Sequence, residues 1–350
     1  RRRTPICSKR VGFSAAVGVL ATLVASSYSA YRIRESEKDF NAIQRSQVKS
    51  AGQQLLSGVQ RQLETSVSST KALSALIHLD QAEKLLEPLS GLVHNLVNKS
   101  AVLSTLEDPT AEQKALAEQE KALAQQAVVA NSSLFEFNTV AASLISTYKG
   151  ISNLQLAPGG IVSAIYPLAS NEGAVGHDLF YDPNRRQAAM ETIRQGSVVF
   201  IGPVVLIQNR KRAIIARNPT FIDRGGFVGP VGEHPSWWGF ATMLCTLDDL
   251  FEATPLARAE EYDMSYLLVA QTGNGKQFLS ASGSVLRGAE NIDKDDATWL
   301  AHVDKYDPVE LSFVLPELRV HWVMKVWPRE GWREHSDTFL LQVLLCSFFT

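Results

Sequence analysis

The chain has 350 residues, 45% of them hydrophobic and 20% charged, with a net charge of −2 and three cysteines. All 36 acidic residues lie after position 31, with all but five of the 34 Lys and Arg, so the bulk of the chain is acidic and lacks the clustered positive charge of a nucleic-acid-binding surface. Three cysteines are too few for a disulfide framework, so a core of about 300 residues has to hold the fold by burial alone.

Five cations, Arg1, Arg2, Arg3, Lys9 and Arg10, precede an uncharged run of 21 residues, Val11 to Tyr31. A bilayer-crossing helix needs about 20 predominantly apolar residues, and flanking Lys and Arg favour a cytoplasmic N-terminus. This predicts a transmembrane helix at 11–31, with residues 1–10 cytoplasmic and residues 32–337 extracytoplasmic. A cleaved signal peptide is the alternative, with small residues at Ala25-Ser26 near the end of the run.

Residues 32–130 read as a helical stalk. From Glu35 to about Leu79 there is no Pro, and only Gly52 and Gly58 interrupt a supply of Gln, Ser, Ala and Leu. Leu56, Val59, Leu63, Ser66, Thr70, Leu73 and Ile77 alternate spacings of three and four. That spacing fits the seam of a dimeric coiled coil, or a stripe laid on the chain's own domain. Pro88 and Asp108-Pro109 punctuate the second half of the stalk, and Asp108 can cap a helix with Pro109 at its first position. That helix runs through Leu116, Leu123 and Phe137 to Gly150. Its last turns carry Phe137, Val140, Ala141, Leu144, Ile145 and Tyr148, the stripe of a helix laid against a sheet.

After Gly150 short β-rich runs appear: 162–166, 198–201, 204–207, 213–216 and 238–245, with a helix at Pro183 to Gln195 among them and another starting at Leu247. A second group lies at 266–271, 277–279, 309–315 and 319–327, with a hairpin turn at Gly273-Asn274-Gly275. The predicted fold class is α+β: a transmembrane helix, a helical stalk, and two tandem α+β units at 131–258 and 259–330. Phe339 to Phe349 is apolar again, but too short for a span. Residues 338–350 are the start of a second membrane helix or a buried terminal element.

Leu154 to Ile207 reads LQLAPGGIVSAIYPLASNEGAVGHDLFYDPNRRQAAMETIRQGSVVFIGPVVLI. With Ile165-Tyr166-Pro167, Gly176-His177-Asp178-Leu179, Gly202-Pro203, Ala216-Arg217-Asn218-Pro219, Trp237-Trp238-Gly239-Phe240, Leu247-Asp248-Asp249-Leu250 and a closing strand at Arg319 to Trp327, the ordered combination over residues 131–330 resembles the CHASE family of extracellular sensor domains. That family occurs in receptor histidine kinases and nucleotide cyclases. The resemblance implies two PAS-like units behind a long helix, a small ligand in the membrane-distal one, and a homodimer. In plant cytokinin receptors of the family, an aspartate at the position of Asp178 and backbone groups at the position of Phe200 meet the ligand. Ile201 departs from the hydroxyl-bearing residue of those receptors, which argues against adenine-type recognition.

The same residues have a reading of their own. Asp178 stands between Val175 and Leu179-Phe180 and faces a partly desolvated space, or else it caps the turn before Tyr181-Asp182-Pro183. Tyr166, Phe200, Ile201 and Trp238 supply the walls of an apolar slot, or ordinary core, and Arg217 a counter-charge.

No catalytic or metal constellation is legible. Gly273-Asn274-Gly275-Lys276 lacks the spacing of a phosphate loop, Asp293-Lys294-Asp295-Asp296 lacks the glycine and closing Glu of a calcium loop, and the seven histidines form no zinc-type pair. No cofactor is implied. The reading is therefore a non-enzymatic sensor input with an unidentified small-molecule ligand, a membrane and a second copy of itself as partners, and no nucleic acid. An output enzyme, histidine kinase or cyclase, would lie beyond residue 350. A module that only dimerises is the alternative.

Overall fold

One helix organises the architecture. The computed structural model describes residues 7–77, 110–116, 118–119, 122, 135–206, 210–222, 236–273, 275–282 and 298–333. In it α1 (Cys7–Leu76) runs unbroken for 70 residues, about 105 Å at 1.5 Å per residue. The lack of Pro and the supply of Ala, Leu and Gln permit that length. The helix then divides in two by environment. Tyr28, Tyr31 and Ile43 are exposed, whereas Leu55, Val59, Leu63, Val67, Leu73 and Ile77 are fully buried.

All seven positions of the three-four spacing, Leu56, Val59, Leu63, Ser66, Thr70, Leu73 and Ile77, are buried within the chain itself. This corrects the reading of a coiled-coil seam at those residues: the stripe packs on the chain's own sheets. The physical reason is that a three-four stripe matches any apolar surface of the right width, and the sheets later in the sequence supply one.

The first sheet contains β1 (Asn153–Pro158), β2 (Ala164–Tyr166), β3 (Val199–Val205), β4 (Arg212–Phe221) and β5 (Trp237–Thr246) in the order β2-β1-β5-β4-β3. Every pairing is antiparallel. The second contains β6 (Met264–Thr272), β7 (Gly275–Ala281), β8 (Val309–Leu315) and β9 (Val320–Pro328), antiparallel in the order β7-β6-β9-β8. Shorter helices among the described residues include α2 (Phe135–Thr147), α3 (Pro183–Gln195), α4 (Leu247–Glu252) and α5 (Thr298–Asp304). One apolar core joins α1 to both sheets, with Leu63, Leu154 and Met243 in the same cluster as Leu311 and Val326. Gly52 lets α1 lie close against the second sheet; a β-carbon there would meet Leu311 at 2.7 Å and Val326 at 2.9 Å.

α3 and β8 fall where the sequence places them. α3 is framed by Asp182, which accepts from the Asn184 N–H, by Pro183 in its first turn, and by Gly196 in the left-handed conformation. The runs 198–201 and 204–207 differ: the structure joins them into one strand, β3, with a register shift between Ile201 and Val204. Gly202 makes this possible. Its φ is +132°, and a β-carbon would lie 2.9 Å from the Ala213 carbonyl oxygen. β1 is not among the β-rich runs expected from the sequence, because NLQLAP is short and ends in Pro.

Among the described residues no helix is long and apolar enough to cross a membrane. The side chains of residues 11–23, where most of the expected span falls, lie outside the described residues, as do Pro88, Asp108-Pro109, Leu123, the 293–296 loop and residues 338–350.

This packing can be tested in two ways. Leu63→Ala removes a fully buried side chain from the α1 stripe and lowers stability by about 2–5 kcal/mol in chemical denaturation, while exposed Ile43→Ala stays within about 0.5 kcal/mol. Cys245, fully buried, has its thiol pushed up by burial, so it stays unlabelled by maleimide in the folded chain and reacts on unfolding.

Candidate functional site

β4 separates two environments by simple alternation. Ile214 and Ala216 belong to the main core shared with α1, and Asn218 Nδ2 donates to the Thr70 carbonyl of that helix at 3.4 Å. Ile215 and Arg217 point to the other face. There the antiparallel register sets Arg217 beside Thr242 of β5, and Thr242 beside Gln155 of β1. Three polar side chains thus form a row across adjacent strands on a buried surface. Each is less than a tenth exposed.

This row floors a cavity of about 40 Å³. Ile215, Leu206 and Leu244 make its apolar end, with Ile201 packed behind them. Val162, Ala174, His177 and Leu179 cover it. The cover is a small antiparallel arrangement of segments 160–162 and 176–179: Val162 N–H donates to His177 O, Gly176 N–H to Val162 O, and Leu179 N–H to Gly160 O. Gly160 has φ +91°, and a β-carbon would strike the Phe180 ring at 2.2 Å, so glycine lets the cover close on that aromatic.

Arg185, in the first turn of α3, also lines the cavity, and its Nη2 donates to the Val205 carbonyl at 3.1 Å. His177 Nε2 stands 3.2 Å from Asp182 Oδ2, the residue that caps α3. On the floor, Gln155 Nε2 donates to Asn153 Oδ1 at 3.1 Å and Asn153 Nδ2 to Asn171 Oδ1 at 3.2 Å. This amide chain anchors β1 to the loop beyond β2.

Arg217 is the anomaly. It is 2% exposed, its guanidinium lies 5.3 Å from the Phe240 ring centre, and its Nε and Nη1 have no hydrogen-bond partner among the described residues. Burial, assisted by the charge on Arg185, lowers it to about 10, so it stays cationic at neutral pH. An ion taken from water without a counter-charge costs several kcal/mol.

The six residues expected at a ligand site are dispersed. Arg217 lines the cavity and Ile201 backs its wall. Asp178 sits in the cover between two lining residues, but its Oδ1 accepts from the N–H groups of Phe180 (2.8 Å) and Tyr181 (3.1 Å), which is the turn-capping arrangement. Tyr166 pairs with Leu154, and Phe200 with Ala216, both on the core side of the sheet. Phe200 packs edge-on to Trp322, ring centres 6.5 Å apart. Trp238 is core and does not line the cavity. Sequence reasoning missed Gln155, Thr242, His177 and Arg185. The alternation of polar residues in NLQLAP and FATMLCT was the signal that could have found the first two.

A larger open cleft of about 510 Å³ lies between α1 and the end of β9, but its charged residues Asp263, Glu330 and Arg333 are exposed to water. Among the described residues no group of three His, Cys, Asp or Glu side chains could hold a metal ion.

Compared with known proteins, residues 147–279 match the CHASE domain family. The match stops short of β8 and β9, so the closing strand expected within it lies outside. No curated protein matches the chain. Similar solved structures include an extracellular ligand-binding receptor from Desulfohalobium retbaense, with a TM-score of 0.38 and 10% identity, over 67% of this chain and 39% of that one. The sensory domain of the Campylobacter jejuni chemoreceptor Tlp3 has a TM-score of 0.34 and 11% identity, over 78% and 97%. The ligand-binding domain of the Pseudomonas aeruginosa amino acid chemoreceptor PctB, solved with L-Gln, has a TM-score of 0.33 and 13% identity, over 77% and 96%.

Asp178 gives a pH test of the cover. Burial raises its carboxyl above the ordinary 3.8, against the pull of its two backbone N–H bonds and Arg186. The folded chain therefore keeps that proton longer than the unfolded one. The resulting stability is full below pH 3.8 and is lost as pH rises through the folded value. Asp178→Asn keeps an oxygen acceptor for Phe180 and Tyr181 and abolishes the loss. Urea midpoints of the two proteins should coincide at low pH and diverge in favour of Asp178→Asn as pH rises.

Proposed function

We propose that this chain, which carries a CHASE domain over residues 147–279, is the extracellular ligand-sensing input of a transmembrane signalling receptor, with the cavity at Arg217 as its receiving site. One observation carries the reading: a guanidinium, 2% exposed, held at a cavity without a hydrogen-bond partner for Nε or Nη1 among the described residues. Such a group costs the fold stability by itself and gains a purpose when a ligand completes its surroundings.

The wider layout rests on the charge and hydropathy pattern. Residues 1–10 are cytoplasmic, residues 11–31 the anchor, 32–337 the exterior region and 338–350 the start of a return span. The distal PAS-like unit comprises 131–258 and the proximal one 259–330. Tyr28 and Tyr31, exposed at the end of the uncharged run and followed by Arg32 and Arg34, suit the headgroup layer. The exposed stretch of α1 around Ile43 offers a surface for a second copy, making the receptor a homodimer. The output domain, a histidine kinase or nucleotide cyclase, would lie beyond residue 350.

β4 supplies the route for the signal. Arg217 meets the ligand, and its neighbours Asn218 and Thr220 meet α1 through Thr70 O and, at 2.9 Å, Ser74 Oγ. A ligand that favours one placement of β4 over another shifts α1 by population. The test is disulfide cross-linking of a Ser36→Cys variant of the full chain in membranes, with and without a pool of small metabolites. The expected result is a metabolite-dependent change in rate, which Asn218→Ala weakens without loss of binding. Cross-linking indifferent to every metabolite, or residues 32–337 protected from protease added outside cells, would sink the proposal.

A further inference from the structure

We infer that the cavity at Arg217 takes a small organic carboxylate, an inference that rests on the sensor reading above and names the chemistry of its ligand. Charge is the first argument. Arg217 and Arg185 both line the cavity. Among the described residues the acids of the cover are otherwise engaged: Asp178 accepts from its own turn, and Asp182 lies 3.2 Å from His177 and caps α3. Among the described residues the site therefore presents positive charge without a paired acid, which disfavours a cation and favours an anion. A planar guanidinium matches the fork of a carboxylate better than a spherical ion.

Size is the second. A volume of about 40 Å³ holds two or three water molecules. That suits a carboxylate with a short tail. The third argument is the lining itself. Gln155 and Thr242, in the same cross-strand row as Arg217, can hydrogen-bond a hydroxyl or amino substituent, while Ile215 and Leu244 accommodate a methyl group.

The experiment is thermal unfolding of the full chain in detergent at constant ionic strength. Acetate, propionate and lactate are compared with their amides, and with chloride and inorganic phosphate. At about a hundredfold excess over Kd a carboxylate should raise the midpoint by about 5 °C, and its amide should not. Arg217→Met should abolish the response and raise the midpoint of the ligand-free protein, since the uncompensated charge is gone. A purely structural arginine would do the opposite. Arg217→Lys should retain a weaker response. Amides as effective as carboxylates, a response to phosphate or chloride alone, or an undiminished response in Arg217→Met would overturn the carboxylate assignment and leave the sensor reading standing. Silence toward these ligands and toward a broad metabolite panel would overturn both. The comparison of carboxylate with amide on the unaltered chain decides the matter even where a variant fails to fold.

Discussion

The burial of the second half of α1 against two sheets is the contact on which everything else rests. Neither sheet has a helix of comparable length elsewhere among the described residues, and a single apolar cluster runs from Leu55 through Met243 to Val326. The first sheet therefore lies pressed between two different covers. On one side is α1, a rigid rod; on the other is a thin cover built from the 160–162 and 176–179 segments and α3. Because side chains alternate along a strand, each strand of that sheet reads both sides at once.

β4 shows the consequence of this arrangement. Ala216 and Asn218 belong to the helix side, and Arg217 between them belongs to the cavity. The helix side is not wholly apolar: Ser66, Ser69 and Thr70 are buried, and Ser74 contacts Thr220. Hydroxyls that bond back to their own helix turn, as Ser69 and Thr70 do, leave a contact surface less interlocked than branched aliphatics would. A firm apolar core at Leu55, Val59 and Leu63 thus gives way to a polar stretch at Ser66, Ser69 and Thr70.

Much of the fold was legible because its signals are local. Pro183 and Gly196 frame α3 through backbone preferences that do not depend on distant residues. The burial of Phe137 and Ala141 accords with their spacing. The candidate site was less legible. Asp178 stands out as a charge among apolar neighbours, yet its oxygen serves the turn just after it. Tyr166 and Phe200 are aromatic and close in sequence to the site, but strand parity sends them to the α1 side. Gln155 and Thr242 carry no distinctive motif, and only register makes them neighbours of Arg217.

By itself the amino-acid sequence determined the broad layout of the molecule: an uncharged N-terminal run behind five cations, a long helix-forming stretch, and strands in two groups, with residues 147–279 matching the CHASE domain family. These arise from composition, periodicity and backbone preference, all short-range properties of the chain. Only the tertiary structure decided which partner the α1 stripe meets, which face each strand residue takes, and that Arg217 is buried beside a cavity with Nε and Nη1 unpartnered among the described residues. Those are matters of register and distance between segments far apart in the chain, which no local pattern encodes.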